Sequence, residues 1–133
     1  MTNHHKNNLE NIKTIAIGYA RVSSTDNRQE LGLSVQTEAL KFCDKLYIEK
    51  DSGGNQERPQ LKKAMKIAKK YAQQGVKTNF VVYKLDRLTR KMLHLSAIIE
   101  DLTKYGVHLQ SIHENIETDS LTGKFFCLML GYV

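Results

Sequence analysis

Two hydrophobic periodicities alternate along this chain. The first apolar run, Ile15 to Ala20, is short and unbroken, as in a buried strand. It gives way abruptly to Arg21, Ser23 and Ser24. Thr25 to Gly32 is polar but for Leu31 and predicts a loop. Ser34 stands where a helix cap belongs. Val35, Ala39, Phe42, Cys43 and Leu46 then recur on one helical face. Leu46 to Ile48 predicts a second strand, ended by Asp51-Ser-Gly-Gly54. Pro59 suits the first turn of a second helix. Leu61, Ala64, Met65, Ala68, Tyr71 and Ala72 form its apolar face, with Lys62, Lys63, Lys66, Lys69 and Lys70 on its other side. Gly75 predicts its end. Phe80 to Tyr83 is apolar on both faces and predicts a central strand. Leu95, Ile98, Ile99, Leu102 and Tyr105 mark a third helix that Gly106 closes. Val107 to Ile112 predicts a fourth strand, and Asn115 to Ser120 a polar loop. From Leu121 through Phe125 and Leu130 the pattern turns helical again. Strands alternating with helices predict an α/β fold, a three-layer sandwich around a mostly parallel central sheet of at least four strands.

Composition narrows the setting. The chain has 133 residues, enough for one domain with a real core. The first eleven residues are mostly polar, and residues 1–13 are expected as a disordered tail before a domain over 14–133. A net charge of +6 suits a polyanionic partner. Cys43 and Cys127 have neither metal-site spacing nor disulfide density. They are expected as buried free thiols in a reducing cytosol, so a cytoplasmic location is expected. No apolar run is long enough to span a bilayer, and no membrane partner is expected.

The candidate chemistry lies where the first and third strands end. Tyr19, Arg21 and Ser23 share one face if the strand stays extended. Arg21 stays protonated and cannot act as a base, but its fork matches phosphate oxygens. It sits just past the carboxyl end of a buried strand, where open α/β sheets place their ligands. Lys84-Leu-Asp-Arg-Leu-Thr-Arg90 follows the third strand directly. If a helix begins there, Arg87 and Arg90 are neighbours and Asp86 reaches Arg90. Two cations at a helix start are unfavourable, a cost that a bound phosphate would offset. Arg58 is a fourth candidate cation. Three readings compete: a DNA-cleaving catalytic domain, a truncated non-catalytic DNA-associated or dimerising module, and a small phosphate-binding enzyme of flavodoxin-like fold. The third lacks a Gly-rich phosphate loop.

Tyr19-Ala-Arg-Val-Ser23 resembles the Tyr-x-Arg-Val-Ser nucleophile motif of the serine recombinases, the resolvase/invertase and serine integrase family. Lys84 to Arg90 resembles the family's Leu-Asp-Arg-Leu-x-Arg motif. Asp51-Ser-Gly and Arg58-Pro-Gln-Leu61 resemble its Asp-Ser-Gly and Arg-Pro-x-Leu segments, and Ser34-Val-Gln36 its Ser-Leu-x-x-Gln helix start. Glu114 to Thr118, with Thr122-Gly-Lys124, is similar to the loop before its oligomerisation helix. The matches run in order over nearly the whole chain. The resemblance implies a resolvase-like catalytic domain with Ser23 as nucleophile and Arg21, Arg58, Asp86, Arg87 and Arg90 as catalytic residues. Asp86 would orient an arginine or handle a proton. Tyr19, Gln36 and Lys84 are implied at the DNA. Family members link the serine to a 5′ phosphate, release a 3′ hydroxyl, exchange subunits and religate, with no metal and no cofactor. The implied partners are double-stranded DNA and further copies: a homodimer, and a tetramer in the full-length synaptic complex. The long Ser24 to Leu33 loop is similar to those of larger integrases and transposon-borne recombinases, implying a mobile-element origin. Val133 is expected to fall within the oligomerisation helix, with the family's DNA-binding region outside this sequence. His94, His108 and His113 are expected to be structural or exposed.

Overall fold

A computed structural model describes residues 14–23, 32–51 and 57–117, with Ser23, Asp51 and Met92 described by their backbone alone. β1 (Thr14–Ser23) leads to α1 (Leu33–Ala39), β2 (Lys45–Asp51) and α2 (Pro59–Gln73). β3 (Lys77–Val82), a 3-10 turn (Leu85–Arg87) and α3 (Met92–Lys104) follow. β4 (Val107–Ser111) and β5 (Ile116–Glu117) complete the described elements. The five strands form one sheet in the order β2-β1-β3-β4-β5. The first four run parallel, and β5 runs antiparallel to β4.

The alternation along β1 divides the core. Ile17 and Tyr19 are fully buried on one face with Phe80, Val82, Val107 and Leu109 of the neighbouring strands. Leu61, Ala64 and Ala68 of α2 and Leu95 and Leu102 of α3 cover that face, as their helical spacing predicts. Ala20 and Val81 point the other way, beneath Leu40, Cys43, Leu46 and Ile48. β3, the predicted central strand, is buried on both faces. Gly18 lets the turn after α1 press directly on β1. A Cβ there would stand 3.0 Å from Cys43 Sγ and 3.1 Å from Leu46 Cδ1.

The ends of the helices agree with the sequence except in α1. Pro59 opens α2. Gly75 and Gly106 both stand at φ +83°, where an L side chain would be strained, just after α2 and α3. α1 starts at Leu33 behind Gly32, so Ser34 lies inside the helix and caps nothing. The helix also stops at Ala39, short of the predicted row. Leu40 and Cys43 in the following turn and Leu46 in β2 continue that row because all three cover one sheet face. Phe42 leaves it and is 54% exposed. β5 stands inside the predicted polar loop. Cys43 is a free, partly buried thiol pushed up to about 11, chiefly by burial and then by the charge of Asp44. The predicted tail, most of the Thr25 to Gly32 loop, the helix from Leu121 and Cys127 lie outside the described residues. Among the described residues, no helix is long and apolar enough to cross a membrane.

Candidate active site

The strand order puts β1 and β3 side by side while the connections leaving them diverge, from β1 toward β2 and from β3 toward β4. Ligands in open α/β sheets bind at such a switch point, beyond the carboxyl ends of the strands. β1 ends there with Arg21-Val-Ser23, and Ser23 stands opposite Asp51 in register. β3 ends there with the run that contains Lys84, Asp86, Arg87 and Arg90.

A reciprocal lock joins the two strand ends. Arg21 is 9% exposed and Arg87 4%. Arg21 Nε donates to the Arg87 carbonyl at 3.1 Å, and an Arg21 Nη donates to the Asp86 carbonyl at 2.9 Å. Arg87 Nη1 donates back to the Arg21 carbonyl at 3.1 Å. Its Nε donates to Asp86 Oδ1, also at 3.1 Å. Hydrogen bonds from charged donors contribute about 1.5–3 kcal/mol each when desolvated, so the lock fixes both segments firmly. Gln36 of α1 completes it. Its side-chain oxygen accepts from the Arg21 N–H at 3.1 Å and its amide donates to the Arg21 carbonyl at 2.9 Å. The primary amide thus pairs with the main chain of β1 as another strand would.

A carboxylate that the sequence reading missed supports the site from β2. Glu49 is 5% exposed. Its Oε1 accepts from the Gln60 and Leu61 N–H groups at 3.0 and 3.1 Å, capping α2 from outside the helix. The Tyr19 hydroxyl donates to the same oxygen at 3.4 Å. Burial, and then the charge of Glu49, push the Tyr19 phenol above its ordinary value, against the opposing pull of Arg58 and Arg21. The one local signal was an acid directly after the apolar run Leu46 to Ile48 of the strand. Its partners lie eleven or more residues away.

Arg58 immediately precedes α2 in the left-handed conformation, φ 48° and ψ 64°. The proline after it disfavours the right-handed α region. Its guanidinium donates to the Leu88 carbonyl, which ties α2 to the turn after β3. A cleft of about 360 Å³ opens beside Arg58 and Thr89, with Lys62 and the exposed His94 on its walls.

The expected residues therefore divide. Arg21, Asp86, Arg87 and Arg58 are brought together. Arg90 is exposed, three residues past the buried Arg87. Lys84 is half-buried and starts the 3-10 turn, its carbonyl accepting from the Arg87 N–H. No helix begins at Asp86; α3 starts at Met92. The expected helical pairing of Asp86 with Arg90 gives way to one between Asp86 and Arg87, because the tight turn directs Arg87 inward. Tyr19 and Gln36 were expected at the DNA but are fully buried. The physical reason is that each has an internal partner, Glu49 for one and the Arg21 main chain for the other. Among the described residues no group of His, Cys, Asp and Glu is arranged to hold a metal.

Residues 16–133 match the family Resolvase, N terminal domain. The chain belongs to that family. It is 37% identical over 117 residues to Serine recombinase gin of Escherichia phage Mu, an alignment covering 86% of this chain and 55% of that protein. It is 39% identical over 110 residues to DNA-invertase hin of Salmonella typhimurium, covering 83% and 54%. This resolvase-family chain thus spans about half the length of these relatives. The solved N-terminal catalytic domain of TP901-1 integrase superposes with a TM-score of 0.64 at 26% identity, covering 90% of this chain and 92% of that one. The α/β architecture is that of resolvase-like catalytic domains, as the sequence predicts.

Proposed function

We propose that this chain is the catalytic domain of a site-specific DNA recombinase, of mobile-element origin, with Ser23 as its nucleophile. The Ser23 hydroxyl oxygen attacks a DNA phosphorus. A P–O bond to Ser23 forms as the bond to the 3′ oxygen breaks, and the serine proton is passed, net, to the departing 3′ hydroxyl. The product is a 5′-phosphoserine link. Religation is the same step in reverse, so the phosphodiester energy is retained. Phosphoryl transfer of this kind depends on positioning and on positive charge near the equatorial oxygens.

The lock between Arg21 and Arg87 supports this reading most directly. It holds the strand that ends in Ser23 against the segment that carries Arg90, at the switch point of the sheet. Arg90 and Arg58 would meet the phosphate, while Arg21 and Arg87 orient the backbone on which Ser23 and Arg90 stand. Asp86 orients Arg87 rather than carrying a proton. Lys84 would contact the DNA backbone; Tyr19 and Gln36 act from inside the protein. The partners are double-stranded DNA and further copies of the chain, a dimer that becomes a tetramer in the full-length synaptic complex, in the cytoplasm.

In a full-length context, trapping on a nicked DNA duplex, followed by peptide mapping, tests the assignment. Ser23→Ala should abolish the covalent adduct and Ser24→Ala should retain it. An adduct on Ser24, or one that survives Ser23→Ala, refutes the proposal.

A further inference from the structure

We infer that Glu114 is a positioning residue for the site, setting the 3-10 turn that carries Asp86 and Arg87; this rests on the recombinase reading above. The chain leaves β4 and reverses into β5 through residues 112–115. Asn115 stands at φ +55°, a left-handed conformation that asparagine tolerates better than most residues. This reversal lies against the exit of β3. The Ile112 N–H donates to the Val82 carbonyl at 3.0 Å and the His113 N–H to the Tyr83 carbonyl at 2.8 Å. The rings of Tyr83 and His113 lie 5.9 Å apart. The β3–β4 ladder thus continues past its last regular pair, Val82 with Ser111. It delivers the Glu114 side chain to the start of the 3-10 turn.

Both Glu114 carboxylate oxygens lie 3.4 Å from the Leu85 nitrogen, and Oε1 also accepts from the Ser111 hydroxyl. The Leu85 N–H opens the turn and has no acceptor within it, the ordinary lot of a first amide. Glu114 supplies that acceptor from another strand, while Ser111, 1% exposed, holds the carboxylate in place. The turn has little else to define its start, since Lys84 makes no side-chain cap there. Yet it presents the Asp86 and Arg87 carbonyls to Arg21 within about 3 Å. Tilting the turn would pull those carbonyls off the Arg21 guanidinium and move Arg90 with them.

Two conservative variants separate reach from charge. Glu114→Gln keeps the reach and an acceptor oxygen but loses the charge. Glu114→Asp keeps the charge and is one methylene too short. Hydrogen-bonded positioning predicts that Gln behaves as wild type and that Asp behaves as Ala. At saturating nicked duplex, Glu114→Asp and Glu114→Ala should form the Ser23 adduct about 10- to 100-fold more slowly, the scale of small misplacements in an active site. Glu114→Gln should stay within about twofold, and the half-saturating DNA concentration should not move in any variant. The NMR signals of the Arg21 and Arg87 Nε–H protons, read on the chain without DNA, should shift in Asp and Ala and hold in Gln. Wild-type Nε–H signals in Glu114→Ala, or an Asp variant that outperforms Gln, overturn the inference. Absence of an adduct from the wild-type full-length protein, or an adduct that survives Ser23→Ala, instead sinks the recombinase reading, and the Nε–H signals of this chain then still judge Glu114.

Discussion

Arg21 and Arg87 lie inside the protein, whereas Arg90, three residues beyond Arg87, lies outside it. The inner pair donates to main-chain carbonyls across two strand ends. The outer arginine stands exposed past the turn. A planar fork satisfies buried carbonyls and clasps a phosphate equally well, so residue type alone does not separate these uses. Burial does. The inner tier joins the two strand ends, and on the proposed function the outer tier would meet the DNA phosphate.

The sharpest way to break this division is Arg90→Lys. The charge stays and the planar fork goes, so on the proposed function DNA cleavage should fall about 10²–10³-fold, as on loss of one preorganised donor. DNA binding should fall far less, because phosphate contacts are spread over the whole interface. Rates of adduct formation and titrations of DNA binding measure the two effects. A wild-type cleavage rate would remove Arg90 from the outer tier.

The converse concerns folding. Arg87→Ala should lower stability by about 2–3 kcal/mol, through loss of charged hydrogen bonds and of the packed stem. The Asp86 side chain is 43% exposed and is not stranded in the core by this change. Arg90→Ala should stay within about 0.5 kcal/mol, as exposed substitutions do. Urea unfolding of both variants checks the contrast, and equal losses would erase it.

The smallest effect belongs to Tyr19, the phenol sealed behind the inner tier. Its folded pKa is raised, so the native state keeps the proton after the unfolded chain releases it near the ordinary value of about 10. Tyr19 therefore leaves stability unchanged with pH below about 10 and weakens it as pH rises further. Tyr19→Phe should cost about 0.5–1 kcal/mol at neutral pH, through the long bond to Glu49, and should flatten the alkaline decline. Unfolding midpoints at neutral pH and above about pH 10 test both parts.

Much of the frame was legible because it is written in local spacing. The apolar runs located four strands, and Pro59, Gly75 and Gly106 marked helix ends. The row from Val35 to Leu46 misled because a helix, a turn and a strand can cover one sheet face in succession. β5 escaped because Ile116 and Glu117 pair only with β4, and two residues carry no period. Within the site, Arg21, Asp86 and Arg87 were legible as charges at strand ends, and Arg58 as a fourth cation at a helix start. Their division into tiers was not, since the partners of Arg21 lie 65 and 66 residues away. The resemblance implies Tyr19 and Gln36 at the DNA, but their buried partners, Glu49 and the Arg21 main chain, lie 30 and 15 residues away. Glu49 was missed because its own partners lie eleven or more residues away. Ser24, most of its loop and the segment beyond Glu117 lie outside the described residues.

Arg58 holds two opposed contributions at one position. Its left-handed backbone costs about 1–2 kcal/mol that glycine would not pay. Its guanidinium's bond to the Leu88 carbonyl returns about 1.5–3 kcal/mol, which glycine would forfeit. A laboratory lineage screened only for heat tolerance would therefore gain little from glycine there. On the proposed function, a lineage screened for strand exchange would lose more, because the same guanidinium would meet the phosphate.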